Sequence, residues 1–92
     1  MDMMELEIIA AERCHDGLVA IEQELIRARA RFAPLSSSHE AYAVIAEEVD
    51  EFWDAVKANN ERAALAEVVQ IAATALRFLV ERPPMDKRNG AS

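Results

Sequence analysis

The sequence predicts an all-α chain of three helices that form a helical bundle completed by oligomerisation. Apolar residues recur at intervals of three and four over long stretches, and nowhere do they alternate with polar ones as in a strand. The pattern is interrupted around Pro34 and at Asn59-Asn60, which divides it into three segments. The chain has 92 residues, 52% of them hydrophobic, more apolar surface than three helices can bury among themselves.

The first helix is expected over roughly Met3 to Arg31. Its seam is Cys14, Leu18, Ile21, Leu25, Ala28 and Phe32, the spacing of a helix lying lengthwise on a partner. Gly17, inside it, is unfavourable by about 1 kcal/mol relative to Ala, which close approach of another helix would explain. Cys14 reads as a small core residue on that seam rather than a nucleophile. As the sole cysteine it permits no intrachain disulfide, zinc finger or redox dithiol.

Ser37 followed by Glu40 matches a capping box, in which hydroxyl and carboxylate each satisfy an orphan backbone N–H. The second helix therefore starts there. Its apolar stripe is Tyr42, Ile45, Val49, Phe52, Trp53 and Val56, and it runs to about Lys57, a cation suited to a helix C-terminus. Asn59 and Asn60 make the turn. The third helix, roughly Glu61 to Glu81, is apolar around most of its circumference, with Leu65, Val68, Val69, Ile71, Ala72, Ala75, Leu76, Phe78, Leu79 and Val80. Such a helix is expected at the centre of a bundle shared between chains, as a homodimer or homotetramer. Pro83 and Pro84 end it. Residues 1–82 are thus one helical domain and 83–92 a flexible polar tail.

A net charge of −7 repels phosphate backbones, so partners of the nucleic-acid or anionic-membrane class are disfavoured. An anionic substrate would need a bridging cation. The acidic N-terminus lacks the basic-then-apolar order of a signal peptide, and no apolar run is expected to approach membrane-spanning length. A cytoplasmic location is expected.

Between His39 and Val56 the acids are Glu40, Glu47, Glu48, Asp50, Glu51 and Asp54, with no Lys or Arg among them. Like-charge neighbours three and four apart destabilise this helix by about 1–2.5 kcal/mol in total, a term that a bound cation would reverse. Glu48 borders Ile45 and Phe52, and Glu51 follows it round the same flank, whereas Asp50 and Asp54 point more nearly to solvent. The polar stripe of helix three is Glu67, Gln70, Thr74 and Arg77. With the two helices antiparallel through a short turn, Glu48, Glu51, Glu67 and the Gln70 amide converge. Hard oxygen donors of this kind suit magnesium or manganese rather than zinc or copper.

The run Glu47-Glu48-Val49-Asp50-Glu51 fits EExxE, and fifteen residues separate Glu51 from Glu67-Val68-Val69-Gln70, where the matching pattern is ExxD. With His39-Glu40-Ala41-Tyr42-Ala43-Val44-Ile45 before and Ile71-Ala72-Ala73 after, residues 36 to 80 resemble the MazG-like all-α nucleoside triphosphate pyrophosphohydrolases. The resemblance implies a bundle assembled as a dimer or tetramer, magnesium as cofactor, and hydrolysis of a nucleoside or deoxynucleoside triphosphate to monophosphate and pyrophosphate. It implies Glu48, Glu51 and Glu67 as metal ligands, with Glu47 a further ligand or the base that orients water. Gln70 stands where the pattern has Asp; its amide oxygen can coordinate, but one negative charge is lost.

Substrate contacts are less sharply indicated. Arg77, on the Gln70 stripe, is the candidate for the phosphates, against a reading in which it pairs with Glu81; Arg27, Arg29 and Arg31 are weaker candidates. Trp53, with Phe52, either stacks on a base or packs in the core or between subunits. His39 either touches the nucleotide or is an exposed first-turn residue. The alternative function is a non-catalytic helical oligomer of the same ancestry that binds a nucleotide or a protein partner.

Overall fold

The computed structural model describes residues 1–82, and the tail expected at 83–92 lies outside them. It contains three helices, α1 (Met3–Arg31), α2 (Ser38–Lys57) and α3 (Glu61–Glu81), and no strand among the described residues. Each start is capped. The Asp2 carboxylate accepts from Glu5 N–H at 2.8 Å, Ser37 Oγ from Glu40 N–H at 3.1 Å, and Asn60 Oδ1 from Ala63 N–H at 3.1 Å. The Glu40 carboxylate closes the box on Ser36 N–H at 2.8 Å, one residue earlier than the usual reciprocal partner.

The α2–α3 turn follows from Asn59, whose φ of 56° is left-handed. Asn59 N–H donates to Val56 O and Asn60 N–H to Ala55 O, the paired bonds of a Schellman motif with Asn in place of Gly. So tight a turn lays α2 and α3 alongside each other. α1 packs on α3 as well, but α1 and α2 do not pack on each other. α3 is therefore central, as the sequence suggests, but not as an apolar core. Its most enclosed residues are Ala64, Ala73, Thr74 and Arg77, with Glu67, Gln70 and Glu81 half-buried beside them, while Leu65, Val68, Leu79 and Val80 are exposed. The polar stripe faces into the chain and an apolar stripe faces out.

Two details of α1 correct the sequence reading. The half-buried residues on its inner face are Gly17, Ala20, Ile21, Glu24, Leu25 and Ala28, which keeps Ile21, Leu25 and Ala28 of the expected seam but rotates it by about 50°, so Cys14, Leu18 and Phe32 are exposed. An added Cβ at Gly17 would meet nothing within 4 Å, so no close approach within the chain accounts for it. From Met3 to Asp16 only Ile9 is even half-buried, and the N-terminal half of α1 runs past the rest of the chain. One further difference concerns α3, which by length and composition alone (mean hydropathy 1.7) is long and apolar enough to cross a membrane. Glu67 and Arg77 interrupt its apolar sequence, so the absence of an uninterrupted run does not exclude it.

At the upper end a buried ionic cluster joins the parts. The Glu81 carboxylate accepts from Leu35 N–H at 2.9 Å and pairs with Arg77 Nε at 3.0 Å and Arg29 Nε at 3.3 Å. Arg77 also donates to Ala33 O and lies 5.8 Å from the Phe32 ring centroid. Leu35, 5% exposed, is sealed beneath this cluster, which fixes the α1–α2 connection to the last turn of α3.

Removing one partner of a buried, hydrogen-bonded pair leaves the other charge uncompensated. Glu81→Ala is therefore expected to destabilise the fold by about 3 kcal/mol, whereas Arg29→Ala, half-exposed, costs less than about 1 kcal/mol. Urea unfolding followed by circular dichroism measures both.

Candidate metal centre

The antiparallel packing of α2 on α3 brings Glu48 and Glu51 of α2 within electrostatic reach of Glu67 of α3, with Glu47 next to Glu48 in the chain. Glu48, half-buried on α2, accepts from Thr74 Oγ1 across the interface at 3.2 Å through its Oε2. Its Oε1 is buried with no hydrogen-bond partner, and so is Glu67 Oε2 on α3. Burial raises the Glu48 carboxyl above its ordinary value, Thr74 partly opposing, and the charges of Glu67, Glu51 and Glu47 raise it further. Burial also raises Glu67, and the neighbouring Glu51 carboxylate adds both its charge and a hydrogen bond that favours the protonated form. Glu47 and Glu51 are exposed, on the solvent side of the group.

None of the four is in an ion pair; among the described residues the paired carboxylates are Glu24, Asp54 and Glu81. Nor are three His, Cys, Asp or Glu side chains among the described residues gathered closely enough to be a ready-made ligand cage. What α2 and α3 supply is a pair of buried, unpartnered carboxylate oxygens with a third carboxylate beside them. A buried polar atom left without a partner is expensive, and the charge of a nearby carboxylate adds to the cost. Such a donor set fits a hard divalent cation, since magnesium takes only one or two protein carboxylates and fills its remaining positions with water and substrate phosphate.

The remaining expectations fare differently. Gln70 does not join the acids: its amide faces α1, where with Arg27 it helps to hold the Glu24 carboxyl below its ordinary value, against the opposing effect of burial. Arg77 is 7% exposed and its guanidinium is committed to Glu81 and Ala33 O, which is the Glu81 pairing that stood beside the phosphate reading. Arg27 and Arg29 are likewise paired with Glu24 and Glu81, and Arg31 lies 5.4 Å from the Phe32 ring centroid. Trp53 is 56% exposed with Lys57 Nζ 5.7 Å from its ring centroid, and His39 is exposed in the first turn of α2. Phe52 lines an open, mainly apolar cleft of about 530 Å³ at the α2–α3 turn, with Ala55, Val56, Ala64, Leu65 and Val68. Thr74, which holds Glu48 in place, was visible in the sequence only as a member of the polar stripe of α3.

The shifts set the direction of pH dependence. Glu48 and Glu67 bind their protons more tightly folded than unfolded, so their ionisation removes stability as pH rises from 4.5, the ordinary carboxyl value, through their raised folded values. Glu81 shifts the other way: burial would raise it, but Leu35 N–H, Arg77 and Arg29 outweigh that, and its contribution is lost as pH falls below 4.5. The melting temperature is expected to pass through a maximum in weak acid, and Glu48→Gln should flatten its decline toward neutral pH while leaving the acid limb in place. Thermal unfolding between about pH 3 and 8 checks this. Compared with protein-family models, with curated proteins and with solved structures, the chain matches none, which leaves the site itself as the ground for a functional reading.

Proposed function

We propose that this protein is a magnesium-dependent nucleotide pyrophosphohydrolase of the MazG-like kind, converting a nucleoside or deoxynucleoside triphosphate to monophosphate and pyrophosphate. The observation that carries the reading is the pair of buried, unpartnered oxygens, Glu48 Oε1 on α2 and Glu67 Oε2 on α3, with no Lys or Arg among the described residues in an ion pair with either carboxylate. Glu48, Glu51 and Glu67 would hold the metal, with manganese as a substitute. When bound, the cation supplies Lewis-acid polarisation of a phosphoryl oxygen and neutralises a polyphosphate that a chain of net charge −7 would otherwise repel.

The residues of the chain supply the rest. Thr74 fixes the Glu48 carboxylate through its hydroxyl, leaving Oε1 directed away from that bond. Glu47, exposed and free of ion pairs, takes a proton from the attacking water. The new P–O bond forms at the α-phosphorus as the bond to pyrophosphate breaks. Trp53 and His39 are the exposed groups available to base and sugar, and Gln70, turned toward Glu24, is not needed as a ligand. The protein acts in the cytoplasm as a homodimer or homotetramer, in which further copies complete the bundle that one chain leaves open. Its radius of gyration of 16.5 Å supports this, against about 12 Å for a compact domain of this length.

The rival reading, a non-catalytic helical oligomer of the same ancestry, draws on the departure of Gln70 from the acids and on the lack of a gathered ligand cage. The two differ in sign. The enzyme is expected to release pyrophosphate from at least one of a panel of nucleoside triphosphates with millimolar magnesium, to lose at least about a hundredfold in Glu48→Gln or Glu67→Gln, and to melt at higher temperature with magnesium. A non-catalytic module would show no turnover, no thermal response to magnesium, and a gain in stability on neutralising Glu48.

A further inference from the structure

α1 changes character at Gly17. From there on its inner face is half-buried against α3, whereas before it only Ile9 is half-buried and Met3, Met4, Leu6 and Ile8 are 73%, 73%, 48% and 53% exposed. Glycine inside a helix weakens it, and an added Cβ at Gly17 would meet nothing within 4 Å, so packing does not require it. It stands where the docked helix ends and an unsupported arm, residues 3–16, begins. A helix of about 14 residues without tertiary contacts is marginal in water, and a glycine at its root is where it bends at least cost.

The contacts of α1 fix the end of the molecule from which the arm departs. Glu24 meets Gln70 and Arg29 meets Glu81, so α1 runs parallel to α3, and Gly17, two turns before Glu24, lies near the start of α3. The open apolar cleft walled by Phe52, Val56, Leu65 and Val68 is at that same end, beside the α2–α3 turn. Charge agrees. The arm carries Asp2, Glu5, Glu7, Glu12 and Asp16 on and beside it against Arg13 alone, while the exposed Lys and Arg of α2 and α3 are Lys57 and Arg62, which flank the turn. Lys57 already meets Asp54 at 3.4 Å, whereas Arg62 has no ion pair among the described residues.

We propose that the arm is a strap that bends at Gly17 around the α2–α3 turn and lays Met4 and Ile8, one turn apart on a single side of it, into this cleft of the same chain. Closure takes both sets of apolar groups out of water together and brings the acids of the arm to Arg62 and Lys57. The cleft, of about 530 Å³, has room for both side chains. A strap so acidic is a poor fit to an anionic lipid surface. The inference goes beyond the proposed activity and uses none of Glu47, Glu48, Glu51 or Glu67.

In a Cys14→Ser background, Ile8→Cys combined with Leu65→Cys tests the closure at two exposed positions. With the arm extended, position 8 stands about 14 Å beyond Gly17 along the axis, whereas a disulfide needs Cα atoms within about 7 Å. Mild oxidation should link the two positions within one chain, giving a faster-migrating monomer on a non-reducing gel, while Ile8→Cys combined with Leu79→Cys, at the far end of α3, should not link. Gly17→Ala should slow the 8–65 link about fivefold by stiffening the root of the arm, with a melting temperature equal or higher because its methyl enters open space. Absence of the 8–65 link, or linking as fast to position 79, would overturn the closure, and a link indifferent to Gly17→Ala would overturn the hinge. A disulfide formed between separate Ile8→Cys and Leu65→Cys chains when mixed, in place of the internal one, would give the cleft to the arm of a second copy and overturn the strap.

Discussion

The buried Glu81 carboxylate is the interaction on which the rest of this architecture depends. α1 and α2 never pack on each other, so the chain has a definite shape only because both are held to α3. At the closed end that hold is ionic: Glu81 takes Leu35 N–H, Arg77 and Arg29 together, joining the end of α1, the connection after it and the last turn of α3. A hydrophobic contact tolerates sliding, whereas a carboxylate with three donors of fixed direction does not. The cluster therefore contributes registry, setting which turn of α1 and α2 lies opposite which turn of α3. The position of Glu48 against Thr74 and Glu67 follows from that registry together with the tight turn at the other end.

The same logic explains why a helix so apolar turns its few polar groups inward. Along one stripe of α3 lie Glu67, Gln70, Thr74, Arg77 and Glu81, and the last four are answered from α1, α2 or the connection between them: Glu24 for Gln70, Glu48 for Thr74, Ala33 and Phe32 for Arg77, Arg29 and Leu35 for Glu81. Glu67 alone finds only other carboxylates. Its neighbours are satisfied and it is not, and local violations of this kind mark the places where a sequence serves something other than its own stability. The chain has kept a mutually repelling group of acids where an apolar residue would pack without penalty.

Much of this was legible beforehand. The three helices fall where the periodicity, the Ser37–Glu40 box and the Asn59-Asn60 turn place them, because those signals are local and each has one physical reading. That Glu48 of α2 feels the charge of Glu67 of α3 follows from an antiparallel pair and a period of 3.6 residues, whereas Gln70 turns to α1 and no three acids are gathered among the described residues. What the sequence concealed was rotation about a helix axis. α1 is apolar over a wide arc, so Gly17, Ala20 and Glu24 served as its inner face as readily as Cys14 and Leu18. α3 is apolar over a wider one, and pattern alone favours burying that side rather than the polar stripe. Of the two readings the sequence left open for Arg77, the Glu81 pair is singled out only once the connection carrying Ala33 and Phe32 is known to fold back over it.

Because α1 packs on α3 and not on α2, the order in which the chain is made matters. α1 is made before α3, the one helix among the described residues on which it packs. The local α2–α3 hairpin can close as soon as its second arm emerges, since so short a loop adds little closure entropy. Until then the face that docks, with Ile21 and Leu25, waits in water. Its interval of vulnerability to chaperones and proteases is thus set by translation speed through the following fifty or so codons, rather than by its own stability.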